Sequence, residues 1–130
     1  MKVFFDTNIL VYALSSDLKR HHAQEVLAAG GTVSIQVLNE LVHVLRRTLE
    51  RDWADIEAAL EDLGALLEPP VPLTFAIHQA ARWLARDHGF AFYDALIVAA
   101  ALEVGCDTLL SEHMQHGRRV MGLTIFNPFA

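Results

Sequence analysis

Apolar residues change their spacing along this chain, and the changes mark its elements. Lys2 to Phe5 is a short run rich in β-formers and reads as a buried strand ending at Asp6. Thr7 to Leu14 fits a short helix. Ser15, Ser16 and Asp17 are N-cap candidates for a second helix running to about Ala29, where Gly30-Gly31 stops it. Thr32 to Ile35 reads as a brief strand. Ser34 then introduces a helix through about Leu49, with Leu38, Leu41, Val42, Leu45 and Leu49 at helical spacing. Asp52 caps another amphipathic helix carrying Ile56, Leu60, Leu63, Leu66 and Leu67. Pro69, Pro70 and Pro72 break the chain after it, as a linker or short edge strand. A helix follows from about Phe75 to His88, ended by Gly89. Phe92 to Val104 is a helix with almost no polar face, so it belongs in the middle of a domain. Thr108 to Ser111 reads as a strand, and Val120 to Phe126 as another, closed by Pro128.

Strands alternating with helices predict an α/β fold whose parallel sheet is covered on both faces. The 130 residues fit one domain with one core. Ligands of such sheets sit beyond the carboxyl ends of the strands. Asp6 and Glu112 each lie just past the end of a predicted strand, so both can reach that edge.

Composition narrows the class. Hydrophobic residues make up 53% and charged residues 20%, which is globular, not disordered. The run Val3-Phe4-Phe5 is too short for the apolar segment of a signal peptide. The longest apolar stretch, Ala95 to Leu102, is far short of the roughly 20 residues of a membrane span. A cytoplasmic protein with no membrane association is expected. Cys106 is the only cysteine, in an apolar setting, and reads as a buried inert thiol.

The net charge of −6 argues against generic nucleic-acid binding, because phosphates are normally met by excess Lys and Arg. The basic residues nevertheless cluster, as Lys19-Arg20-His21-His22, Arg46-Arg47 with Arg51, and Arg118-Arg119. Arg46, Arg47 and Arg118 are candidates for tracking a nucleic-acid backbone. A solvated helix face is the alternative for each. Tyr12, Phe92 and Tyr93 could stack a base; core positions are the favoured reading of Phe92 and Tyr93.

Three acidic residues stand where acid is least expected. Asp6 ends the first strand. Glu40 interrupts the apolar run from Val37 to Val42 and shares a helix face with Val37 and Val44. Asp94 precedes Ala95-Leu96-Ile97-Val98 at the head of the most apolar helix. Each has an ordinary explanation: Asp6 and Asp94 as helix caps, Glu40 at a solvent margin. If they meet, the physics is constraining. Two unit charges about 4 Å apart repel by roughly 4 kcal/mol at an effective dielectric near 20. Three together would cost a large part of a small domain's stability of about 5–15 kcal/mol. Such a cluster requires protonation or a cation, and Mg²⁺ and Mn²⁺ suit oxygen ligands.

These residues also resemble a known family. Phe4-Phe5-Asp6-Thr7-Asn8-Ile9-Leu10-Val11-Tyr12-Ala13 looks like the opening of PIN-domain nucleases. Asn39-Glu40-Leu41 resembles the family's second acidic position, and Phe92-Tyr93-Asp94-Ala95-Leu96-Ile97 the third. Gly105 to Gly117 resembles the segment carrying the fourth. Within the family, the chain looks most like the VapC-type toxins of toxin–antitoxin pairs. The resemblance implies a three-layer PIN-like fold, a central mostly parallel sheet flanked by helices. It implies an endoribonuclease dependent on Mg²⁺ or Mn²⁺, a homodimer, silenced by a small antitoxin. It assigns catalytic metal-ligand roles to Asp6, Glu40 and Asp94. Thr7, Asn8 and Ser111 would support the site. Where the family commonly has an Asp, this chain has His113, and Glu112 lies one place earlier. Either Glu112 serves as the fourth ligand with His113 supporting the site, or a second metal is held weakly, or the nuclease is impaired.

Rival readings are few. His113 and His116, three apart, could suggest zinc, but no Cys lies nearby. A haloacid-dehalogenase-like phosphatase needs a second Asp where Asn8 stands. A receiver wants a late lysine, and the only lysines are Lys2 and Lys19. The remaining rival is a PIN-fold binding module with a degenerate fourth ligand position.

Overall fold

The computed structural model describes residues 1–130. Strand β1 is Val3–Phe5, followed by helices α1 (Thr7–Leu14), α2 (Arg20–Ala28), α3 (Ile35–Arg47), α4 (Trp53–Leu66), α5 (Phe75–His88) and α6 (Phe92–Glu103). Strands β2 (Thr108–Leu110), β3 (Arg119–Val120) and β4 (Leu123–Phe126) complete the chain. The strands form one sheet in the order β1-β2-β4-β3. The β1–β2 and β2–β4 pairs are parallel and β3–β4 is antiparallel. This is a mixed α/β architecture with a mostly parallel central sheet, as the alternation of strands and helices predicts.

Capping explains where most helices begin. Ser34, Asp52 and Thr74 each accept a bond from the backbone N–H three residues on, at 3.2, 2.9 and 3.1 Å. Asp6 accepts from the Thr7 N–H and so caps α1. The expected cap of α2 did not hold. Asp17 instead bonds the Lys19 N–H in a turn of its own, and α2 starts later, at Arg20. Helix α6 buries every residue from Ala95 to Ala101, as its lack of a polar face predicts. Thirty-three buried apolar residues form one contiguous cluster. Cys106 is buried, and burial raises its thiol pKa. No helix is long and apolar enough to cross a membrane.

Two strand expectations need correction. Thr32 to Ile35 is not a full strand; it makes isolated bridges, Phe4 with Thr32 and Ser34 with Val71. Prolines on both sides of Val71 lack the N–H that a longer ladder requires. Val120 to Phe126 is not one strand but a hairpin. Met121 and Gly122 turn the chain with φ of 48° and 87°, the left-handed pair that a two-residue hairpin loop demands.

The fold places two strand ends side by side. Val3, Phe4 and Phe5 pair with Thr108, Leu109 and Leu110, and the Asp6 N–H continues the ladder to the Leu110 carbonyl at 3.0 Å. Asp6 and Ser111 thus leave the sheet together at its carboxyl edge. Gly31 fixes the other flank of β1. A Cβ there would lie 2.6 Å from the Phe5 ring and 2.8 Å from the Val3 carbonyl oxygen. Gly31→Ala is therefore expected to destabilise the protein by about 1–3 kcal/mol through overpacking. Urea unfolding measures it; an unchanged midpoint would show that β1 is not held at this point.

Candidate metal-binding active site

Four elements bring polar side chains to one cavity of about 630 Å³. Asp6, Thr7, Asn8, Val11 and Tyr12 arrive from the β1–α1 junction. Helix α3 contributes Gln36, Asn39, Glu40, His43 and Val44. The first turn of α6 adds Tyr93 and Asp94, and the loop after β2 adds His113. Asp6, Glu40 and Asp94 therefore share one cavity, although they are 34 and 54 positions apart in the chain. No lysine or arginine lines it.

Asp6 is the buried member, 3% exposed. Its Oδ1 accepts the Thr7 N–H at 2.7 Å. Its Oδ2 accepts the Ser111 hydroxyl at 2.7 Å and the Asn8 amide at 3.1 Å. Cap and cavity wall are thus the same carboxylate. Burial pushes the Asp6 pKa up; the Ser111 and Thr7 bonds oppose the rise, and Asp94 and Glu40 add to it. Thr7 joins two carboxylates: its N–H serves Asp6, and its hydroxyl donates to Glu40 Oε1 at 2.8 Å. Gln36, one turn before Glu40, donates to Oε2 at 3.0 Å. Asp94 does not cap α6, because the cap position is Ala91. Its Oδ2 lies 3.3 Å from His113 Nε2. Burial raises its pKa most; His113 opposes that and Glu40 reinforces it.

Glu112 does not join the other three. Its carboxylate is bound by Lys19 at 2.7 Å and by the Tyr12 hydroxyl at 3.0 Å, outside the cavity lining. The cause is its backbone: the Glu112 N–H donates to Asn8 Oδ1 at 3.0 Å, which aims the side chain toward the α1–α2 loop. His113 occupies the cavity side instead. Ser111, besides holding Asp6, accepts the N–H groups of His113 and Met114 at 3.1 and 3.0 Å, so it sets the course of this loop. His116 accepts the Asn127 N–H and packs on Phe126. A zinc pair with His113 therefore finds no support.

The basic candidates divide. Arg46 donates to the Arg51 carbonyl and sits over Trp53. Arg118 donates to the His88 carbonyl and stacks on Phe90, 3.8 Å from its centroid. Both are engaged in structure. Arg47 is exposed near the end of α3 and does not line the cavity. Tyr93, read as core, is 65% exposed and forms part of the wall. Three lining residues escaped the sequence reading: Gln36, Asn39 and His43. Their spacing of three and four along one helix was the available signal, masked by the apolar residues between them.

The donor set is all oxygen apart from the two histidines, carries three carboxylates and has no internal counter-ion. That chemistry fits a hard divalent cation held by Asp6, Glu40 and Asp94. The side chains are not a ready-made cage, since no group of three or more His, Cys, Asp or Glu is arranged to hold a metal ion. Thr7 and Gln36 hold the two Glu40 oxygens and His113 lies against Asp94 Oδ2, so these contacts compete with a cation for the same oxygens.

Comparison with known proteins settles the lineage. The PIN domain family matches residues 3–113. The chain belongs to the PIN-domain family. No curated protein matches it. Among solved structures, this PIN domain is similar to VapC20 of Mycobacterium tuberculosis, described as a sarcin–ricin loop cleaving toxin. They share 22% identity over 83% of this chain and 87% of that one, with a TM-score of 0.68. It is similar to VapBC2 from Rickettsia felis, solved bound to a DNA fragment from its promoter, at 21% identity, 98% coverage of both chains and a TM-score of 0.70. A toxin–antitoxin complex from Klebsiella pneumoniae gives 18% identity, 98% coverage of both and a TM-score of 0.75. At these identities the likeness is one of fold.

The raised acids of the PIN site have a consequence for stability. Asp6 and Asp94 have folded pKa values above the ordinary 3.8. Each holds its proton more tightly folded than unfolded. That stabilisation is complete below about 3.8 and is lost as pH rises through the folded values. Asp87 and Asp107, lowered by the Arg86 side chain and the Lys2 backbone respectively, act in the opposite sense. They do so equally in any Asp6 variant, so the difference reports Asp6 together with its coupling to Asp94 and Glu40. In chelator, the stability of the parent minus that of Asp6→Asn is expected to fall as pH is raised from about 4 to 7. A difference that is flat or rising with pH would reduce Asp6 to a helix cap.

Proposed function

We propose that this protein is a metal-dependent endoribonuclease, hydrolysing RNA phosphodiester bonds with Mg²⁺ or Mn²⁺ held by Asp6, Glu40 and Asp94. The observation that carries this reading is the convergence of three carboxylates in one cavity free of lysine and arginine. A bound divalent ion would lower the pKa of an attacking water and offset charge building on the phosphate. The chain's own part is positioning. Asn8 and Ser111 both donate to Asp6 Oδ2 and so orient the carboxylate. Thr7 ties Asp6 to Glu40 across the cavity. His113, beside Asp94, is placed to give or take a proton at Nε2.

The biological setting follows from the same family reading. The protein acts as the toxin of a toxin–antitoxin pair, in the cytoplasm, as a homodimer held inactive by a small antitoxin. The fold likeness to a VapC toxin and to two toxin–antitoxin complexes supports this. A second reading, a PIN-fold binding module that does not cut, draws on two contacts. His113 takes up an oxygen of Asp94, and Lys19 draws Glu112 away.

Hydrolysis decides between them. With Mn²⁺, a generic unstructured RNA is expected to be cut. Asp6→Asn should lower the rate by at least about 100-fold, the scale of losing an essential electrostatic group. Cutting that persists equally in Asp6→Asn marks a contaminant. No cutting by the folded parent protein at any Mg²⁺ or Mn²⁺ level supports the binding module.

A further inference from the structure

A row of aromatic rings leads away from the carboxylate cavity. Tyr93, in its wall, packs edge-on against Phe92 with centroids 5.8 Å apart. Phe92 meets His78 at 5.6 Å, and His78 stacks on Phe75 at 6.0 Å with ring planes 15° apart. The two ends of the row are open: Tyr93 is 65% exposed and Phe75 70%. Phe75, His78 and Arg82 fall at i, i+3 and i+7 on one stripe of α5, bordering the face that buries Ile77, Ala81 and Leu84. Arg82 is exposed and takes part in none of the ion pairs.

We propose that this row, Tyr93–Phe92–His78–Phe75 with Arg82 beyond it, is the binding track for an unpaired RNA strand leaving the site. The proposal rests on the nuclease reading and adds to it the side chains along which the strand lies. The row's continuity with the cavity, through Tyr93, favours this occupant. A chain with net charge −6 and an acidic cavity gains little from long-range attraction to phosphates. Stacking does not require net positive charge, because every base offers a flat face to a ring. Duplex RNA keeps its bases stacked inside and cannot use the row. Arg82, one turn beyond His78 on the exposed side of α5, offers a cation to a phosphate of the stacked strand. A protein partner is the less apt occupant. The row is studded with an imidazole and a phenol hydroxyl, and it runs into the cavity where the scissile bond would lie.

The test is fluorescence anisotropy with a labelled oligouridylate of about 12 nucleotides and a duplex of equal length, in chelator so that nothing is cut. The single strand is expected to bind the parent protein more tightly than the duplex. Phe75→Ala and Tyr93→Ala should each weaken it by about tenfold. Phe75→Leu should fail to restore binding, because it keeps apolar surface but loses the ring face. Arg82→Gln should weaken binding and flatten its salt dependence by about one phosphate contact. Both aromatic positions are exposed, so the variants are expected to keep the parent's circular dichroism. Equal binding of duplex and strand would overturn the proposal, as would full affinity in Phe75→Ala and Tyr93→Ala, or recovery in Phe75→Leu. Dissociation of an oligomer in the two alanine variants, seen by sedimentation, would also overturn it and assign the row to a protein interface. Because binding is read without cleavage, an inactive protein that still binds through the rings would overturn the nuclease reading and leave this one standing.

Discussion

Asp6 leaves β1 with almost none of its surface exposed, and three donors hold it there, two from the adjoining helix and one from a strand end distant in the chain. The Thr7 N–H comes from the helix it caps, the Asn8 amide from the next residue, and the Ser111 hydroxyl from the end of the neighbouring strand. A carboxylate this buried is tolerable only when satisfied. The bonds satisfy it, yet its pKa is still raised, so they do not fully offset its removal from water and the two other acids nearby. Much of the surrounding architecture serves this arrangement. The parallel pairing of β1 with β2 brings Ser111 alongside. Helix α3 brings Glu40 to Thr7, and the apolar body of α6 anchors the turn that carries Asp94.

The elements with strong local chemistry were legible in the sequence. Thr7–Leu14 and Phe75–His88 end where the residues say they should, because a cap or a left-handed glycine terminates each. The hairpin at Met121-Gly122 was not legible as a break. Its apolar run continues through the turn, and Met is an unusual residue at positive φ. The α2 start was misplaced because three consecutive cap-forming residues offered competing turns, and Asp17 chose the earlier one.

The site was legible as a set of acids but not as a geometry. Asp6, Glu40 and Asp94 could be singled out because each interrupts apolar sequence. Glu112 could not be told from a fourth ligand, because its direction depends on the Asn8 bond to its N–H and on Lys19 from a distant loop. Arg46 and Arg118 looked free because their acceptors are backbone carbonyls, which leave no trace in composition. Tyr93 looked like core because it adjoins the most apolar helix, whereas it sits in the first turn, before the buried stretch begins.

The central claim is that the acidic cavity, and not the acidic surface at large, attracts a divalent ion. Paramagnetic broadening by Mn²⁺ reads this directly in the amide spectrum of the ¹⁵N-labelled protein. At the lowest Mn²⁺ concentrations, the amides of Thr7, Glu40, Asp94 and Ala95 are expected to broaden first. Early broadening at exposed acids such as Glu61 and Asp62 of α4, with the cavity amides spared, would contradict it.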